Sequence, residues 1–269
     1  MEPRERMTVI ERNHLKSFGR GRQPMLFAHG FGCDQNMWRY ITPAFEERYR
    51  IILFDHVGSG KSDLAAYSRT KYASLDGYAS DVLDICRELA LEDVVFVGHS
   101  VSAMIGVLAA IREPQRFSRL VLIGPSPCYL NKDDYQGGFA MADLEGLLDF
   151  MDSNFLGWSA AIAPKIMGNP DRPELGGELT ASFCTTDPDI ARQFARVDFA
   201  LQLAQQAAGG FVHRPVVPQH QPAANLAPEK DIRRGRKLLD QVQLLVDDAD
   251  PGGFGVARAA KLHRIAGQH

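Results

Sequence analysis

Four short apolar runs, each hydrophobic on successive residues instead of alternating ones, limit what this chain can fold into. They are MLFAHG (25–30), RIILFDH (50–56), VVFVGHS (94–100) and RLVLIG (119–124). A strand that is apolar on both sides has to be covered on both sides, which is the condition of a parallel sheet between layers of helix. The intervening text agrees, since residues 76–91 place Tyr78, Val82, Ile85 and Leu89 on one helical stripe. Alternating runs and helical patterns predict an α/β chain, a mostly parallel sheet flanked by helices. With 269 residues, 45% of them hydrophobic, there is enough material for a sizeable core.

The third run leads into VVFVGHSVSAMIG (94–106), which reads as a buried strand, a tight turn with Ser100 at its tip, and a helix. This is close to the Gly-x-Ser-x-Gly nucleophile elbow, with Ser102 where the pattern has its second glycine. A free serine hydroxyl is a poor nucleophile at neutral pH, so it needs a general base and donors that stabilise an oxyanion. The elbow presents it to both, provided the residues two before and two after are small. Gly98 meets that need, and Ser102 reads as a tolerated departure whose hydroxyl turns back to the helix backbone. The second element, HGFGCDQNMW, begins at the end of the first run, where an α/β-hydrolase takes its other oxyanion donor. The backbone N–H groups of Phe31 and Val101 are the expected pair.

Composition narrows the partners. The net charge is −3 and no basic stripe runs along any segment, which argues against nucleic acid. The charged start, MEPRERMTVIERNH, is unlike a signal peptide, and no apolar run is long enough to cross a bilayer, so a cytoplasmic protein without a membrane partner is expected. Cys33, Cys86, Cys128 and Cys184 form no C-x-x-C pair, and the eight histidines show no ligand spacing. Free thiols and no metal are expected.

After Gly124 the strand rhythm stops. Residues 126–199 are helical and loop-like, and PDIARQFARVDFALQLAQQ has Asp187 as N-cap, Pro188 in the first helical place and Gly209-Gly210 as a stop. Helices inserted there predict a cap over the C-terminal edge of the sheet. The expected organisation is a core in 1–125, a helical cap in 126–200, and an atypical, irregular, poorly ordered segment in 201–269.

HGFGCDQNMW, FDHVGSGKSDL, LDGYASDVLDIC, VFVGHSVSAMIG, GPSPCYLN and FCTTDPDIARQFA together resemble the RsbQ-like α/β-hydrolases, a family of bacterial stress-signalling hydrolases and plant karrikin and strigolactone receptors. The resemblance covers residues 9–199. It implies a four-helix cap over a deep apolar pocket, no cofactor, a small hydrophobic substrate or ligand, and a signalling protein as partner. Carried over by position, Ser100 is the nucleophile, Phe31 and Val101 form the oxyanion hole, and Phe139, Trp158, Ile162 and Phe199 line the pocket. Without the resemblance, those aromatics at helical spacing read as core. In the family the strand end at Asp55 and His56 is structural. His29 and His99 are poorly placed as bases, since a neighbour on the same elbow points away from the serine.

The final segment departs from that pattern. Of 24 aromatic residues only Phe211 and Phe254 lie beyond position 200, and the balance of 21 basic to 27 acidic residues before that point becomes 9 to 6 after it. FVHRPVVPQHQPAANLAPEK reads as a loop, QVQLLVDD as one short strand and GVARAAKLHRIAG as a short helix. No stretch matches the family's acid or histidine segments, so the last strands are expected to be missing or replaced. Asp248 and His263 are the substitute acid and base, in Ser, Asp, His order but only 15 residues apart. Three readings follow: a serine hydrolase, a weak or inactive ligand-binding signalling protein, or a hydrolase with an altered reading frame near Phe199.

Overall fold

The computed structural model describes residues 7–131, 135–208 and 242–244. A six-stranded sheet has the order β1-β3-β2-β4-β5-β6, from β1 (Lys16–Phe18), β2 (Gln23–Ala28), β3 (Tyr49–Leu53), β4 (Val94–His99), β5 (Phe117–Ile123) and β6 (Val242–Leu244). All neighbours are parallel except β1, which pairs antiparallel with β3. The four apolar runs are thus the four central strands. β1 is absent from the sequence reading because a three-residue, largely exposed edge strand, Lys-Ser-Phe, carries no hydrophobic signal.

Successive side chains on these strands enter two different cores, which is why the runs are apolar throughout. Leu26, Ala28, Ile52, Phe96, Leu120 and Leu122 pack on α2 (Leu75–Glu88) and α3 (Val101–Arg112). Met25, Phe27, Ile51, Leu53, Val95 and Val97 face the opposite side, where Trp38 and Phe45 cover them. Among the described residues that second cover is built from single-turn helices, Gln35–Trp38 and Thr42–Ala44, around a Phe27–Trp38 ring pair at 5.1 Å. Helix α2 starts at Ser74, whose hydroxyl caps the Asp76 amide, and buries Tyr78, Val82 and Ile85 as the periodicity predicts.

A short helix α1 (Val9–Arg12) packs beside α2, and four helices follow β5: α4 (Met141–Ser153), α5 (Phe155–Met167), α6 (Pro173–Thr185) and α7 (Pro188–Ala208). Asp187 accepts hydrogen bonds from the amides of Asp189 and Ile190, the cap expected from sequence, and α7 runs on through position 200 to Ala208. The expected short strand is present as β6, parallel to β5 with Leu120 opposite Val242. No helix of the described residues is long and apolar enough to cross a membrane. The four cysteines are free thiols, two buried, Cys33 half-buried and Cys184 exposed.

Candidate active site

Strands β2, β3 and β4 end side by side, and their C-terminal ends carry His29-Gly30-Phe31, Asp55-His56 and His99-Ser100. Open parallel sheets bind their ligands at this edge. Ser100 sits between β4 and α3 with φ 55° and ψ −123°, a left-handed conformation that an L-residue adopts only when its surroundings enforce it. Here they do. The Ser100 amide donates to the Ile123 carbonyl at 2.8 Å, the Ser100 carbonyl accepts from Ala103 at 2.9 Å, and α3 begins at the next residue.

Close approach of strand and helix explains Gly98. A Cβ there would lie 2.5 Å from the Ser102 carbonyl oxygen, a backbone atom that cannot swing aside. A Cβ on Gly30 would lie 3.3 Å from the Ser100 Cβ, which places the Gly30-Phe31 turn directly against the serine. Val101, as the first residue of α3, has an N–H without an intrahelical acceptor. The Phe31 N–H likewise has no acceptor among the described residues. Both expected oxyanion donors therefore flank Ser100 with free amides.

Behind the elbow lies a closed polar cluster. The Ser102 hydroxyl donates to the His29 carbonyl at 2.5 Å and lies 2.7 Å from His56 Nε2. The His56 amide donates to His29 Nε2 at 3.1 Å, so His29 carries its proton on Nδ1 and donates it to the Gly30 carbonyl at 2.9 Å. All three residues are buried. Burial holds the His29 and His56 imidazoles below the usual histidine range, and takes His99 down to about 4 with help from the neighbouring His29 ring. The Ser102 reading is corrected: its hydroxyl crosses to a different strand instead of turning back to its own helix. Asp55 is structural as expected, since its carboxylate accepts from the Gln35 and Lys61 amides at 2.8 and 2.9 Å.

In front of the elbow, the Tyr129 phenol lies close enough to Ser100 and Asp198 to feel both, and its proton is held more tightly than usual by burial and by the carboxyl of Asp198. Asp198, half-buried on α7, is itself raised to about 7 by desolvation. Sequence reasoning singled out neither residue, although Tyr129 lies within the GPSPCYLN motif and Asp198 one turn after Phe194 on the inward face of α7. The Cys33 thiol in the oxyanion turn is pushed up to about 12 by burial and by Asp34 and Glu178, so it stays protonated and does not compete as a nucleophile.

The expected pocket residues fall into two groups. Phe31 meets Trp158 at 6.2 Å, Phe183 at 5.7 Å and Phe194 at 5.7 Å, and Ile162 packs against the same cluster. Phe139 lies elsewhere, 6.4 Å from Tyr129 and beside Leu144. Phe199 is on α7, with its side chain outside the described residues, as are Asp248 and His263. Helix α6 is tied to the oxyanion turn: Ser182 donates to the Gly32 carbonyl at 2.7 Å, and the Phe183 ring fills the space that a Cβ on Gly32, at φ 69°, would need.

With this geometry in view, the family model described as alpha/beta hydrolase fold matches residues 23–216. Karrikin insensitive 2 receptor B of Petunia hybrida is 35% identical over 215 residues, covering 80% of this chain and 77% of the relative. Strigolactone esterase D14 of Arabidopsis thaliana is 38% identical over 191 residues, 71% of each chain. Among solved structures, a hydrolase from Oleispira antarctica superposes with a TM-score of 0.70 at 48% identity, covering 71% of this chain and 70% of that one.

Proposed function

The chain belongs to the alpha/beta hydrolase fold family, and on that premise we propose that it is a serine hydrolase acting on a small hydrophobic ester. The observation that carries this reading is Ser100 held at φ 55° on a strand-to-helix elbow, with the free amides of Phe31 and Val101 beside it. Ser100 Oγ attacks the ester carbonyl carbon and gives up its proton to a base. The carbonyl oxygen becomes an oxyanion that accepts from the two amides and from the positive end of α3. Collapse expels the alcohol, which takes the proton, and water then cleaves the acyl-serine.

Tyr129 is not that base, because a phenol whose proton is held more tightly than usual stays protonated at neutral pH. The candidates for that base and its acid are His263 and Asp248, which follow Ser100 in the order of the family triad. By resemblance to the family, the acyl or alcohol side of the substrate packs against Trp158 and Ile162, with Phe139 and Phe199 as the other positions the resemblance assigns to the pocket. By resemblance to the RsbQ-like hydrolases, the protein acts in the cytoplasm in stress-response signalling, through a protein partner.

A second reading is a binding protein with slow or absent turnover. It is favoured by one observation, that no histidine among the described residues hydrogen-bonds the hydroxyl of Ser100. A relative named for karrikin sensing gives that reading its ligand class, a small hydrophobic molecule. A reading-frame change near Phe199 would produce the same outcome by removing the acid and base. Hydrolysis of p-nitrophenyl butyrate separates the two readings: Ser100-dependent turnover supports the hydrolase, and its absence in folded protein leaves binding.

A further inference from the structure

Resting on the assignment of Ser100 and its oxyanion donors, we propose that Ser102 is a positioning residue that locks the Phe31 turn and the Val101 end of α3 in register. The two donors come from segments about 70 residues apart in sequence, so nothing local fixes their separation. One side chain spans them. Ser102 is the residue after Val101, and its hydroxyl holds the carbonyl of His29, two residues before Phe31. A glycine at this position, as in the usual elbow signature, has no atom with which to make that link.

The protonation states close on themselves. A hydroxyl has one hydrogen, and at 2.5 Å from a carbonyl oxygen Ser102 must direct it there. The 2.7 Å contact with His56 Nε2 then requires the imidazole to be the donor, so His56 is the Nε2–H tautomer. Its Nδ1 is left as a bare lone pair, and that atom is indeed buried without a partner. The His56 backbone amide in turn holds the His29 ring, whose Nδ1–H holds the Gly30 carbonyl. Ser102, His56 and His29 thus grip the oxyanion turn at two successive carbonyls.

Two measurements test this. In protein labelled with 15N-histidine, NMR should show His56 as a neutral Nε2–H tautomer whose ring proton exchanges slowly, with that protection lost in Ser102→Ala. In p-nitrophenyl butyrate hydrolysis, folded Ser102→Ala should lose about tenfold to a hundredfold in kcat, because a donor displaced by about 1 Å loses much of its effect, with KM changed less than about twofold. An Nδ1–H tautomer in the wild type, or kcat in Ser102→Ala within about twofold of wild type, would overturn the proposal. If the wild type shows no hydrolysis, the enzymatic reading fails on its own. The lock is then decided by the tautomer and by the Phe31 amide, which must exchange faster in Ser102→Ala.

Discussion

Behind Ser100, Ser102, His29 and His56 form a buried, interlocking set in which His56 Nδ1 is the one ring nitrogen left without a partner, and Asp55 takes two backbone amides. In front of it, the Tyr129 phenol and the Asp198 carboxyl are half-buried, and desolvation makes both hold their protons more tightly than usual. The rear arrangement is what a fixed scaffold requires, since an unpaired buried polar group costs about 1–3 kcal/mol. The front arrangement instead desolvates two ionisable groups. The difference teaches that the hydrogen bonds holding the Phe31 turn lie behind the elbow, whereas the desolvated ionisable groups lie on its helical side.

Removing bulk in front should have the largest effect on stability. Trp158→Ala deletes a buried ring packed against Phe31, Phe155 and Phe183 and should cost about 3–5 kcal/mol in chemical denaturation. A cost below about 1 kcal/mol would mean that the ring's contacts with Phe31, Phe155 and Phe183 contribute little to the fold. Behind the elbow, Gly98→Ala forces a Cβ against the Ser102 carbonyl and should cost about 1–3 kcal/mol, with loss of Ser100 reactivity even where the fold survives.

Acid should weaken the rear first. His29, His56 and His99 titrate below their unfolded values, so the unfolded chain binds more protons below about pH 6.5 and stability falls as the pH drops towards 4. Each such ring contributes a slope of up to about 1.4 kcal/mol per pH unit, readable from urea midpoints. The front has the opposite sign. Asp198 binds its proton more tightly when folded, so its contribution is favourable at low pH and is lost as the pH rises from about 4 to about 7. Asp198→Asn should therefore stabilise the protein at pH 8, by about 1 kcal/mol, and leave it little changed at pH 4. Equal effects at both pH values would remove Asp198 from the desolvated site.

The sheet was legible for the same reason that the rear of the site was not. Strands β2 to β5 are buried on both faces, and that condition writes itself into consecutive apolar residues. The elbow was legible because strand, serine and helix are contiguous. The Ser102 link joins residues 73 positions apart through a single hydroxyl, which no local pattern encodes. Tyr129 and Asp198 were missed because a polar residue in a loop and another on a helix announce nothing until the fold brings them near each other. The start of α7 was visible from its Asp187 cap and Pro188, whereas β1 was too short and polar to read.

The central claim is that the strained elbow presents an activated Ser100, and intact-mass labelling with a fluorophosphonate tests it most directly. One covalent adduct per chain is predicted for the wild type and none for Ser100→Ala, with the adduct mapping to the peptide that contains Ser100. An unlabelled wild-type protein that unfolds cooperatively, or equal labelling of Ser100→Ala, would contradict the claim.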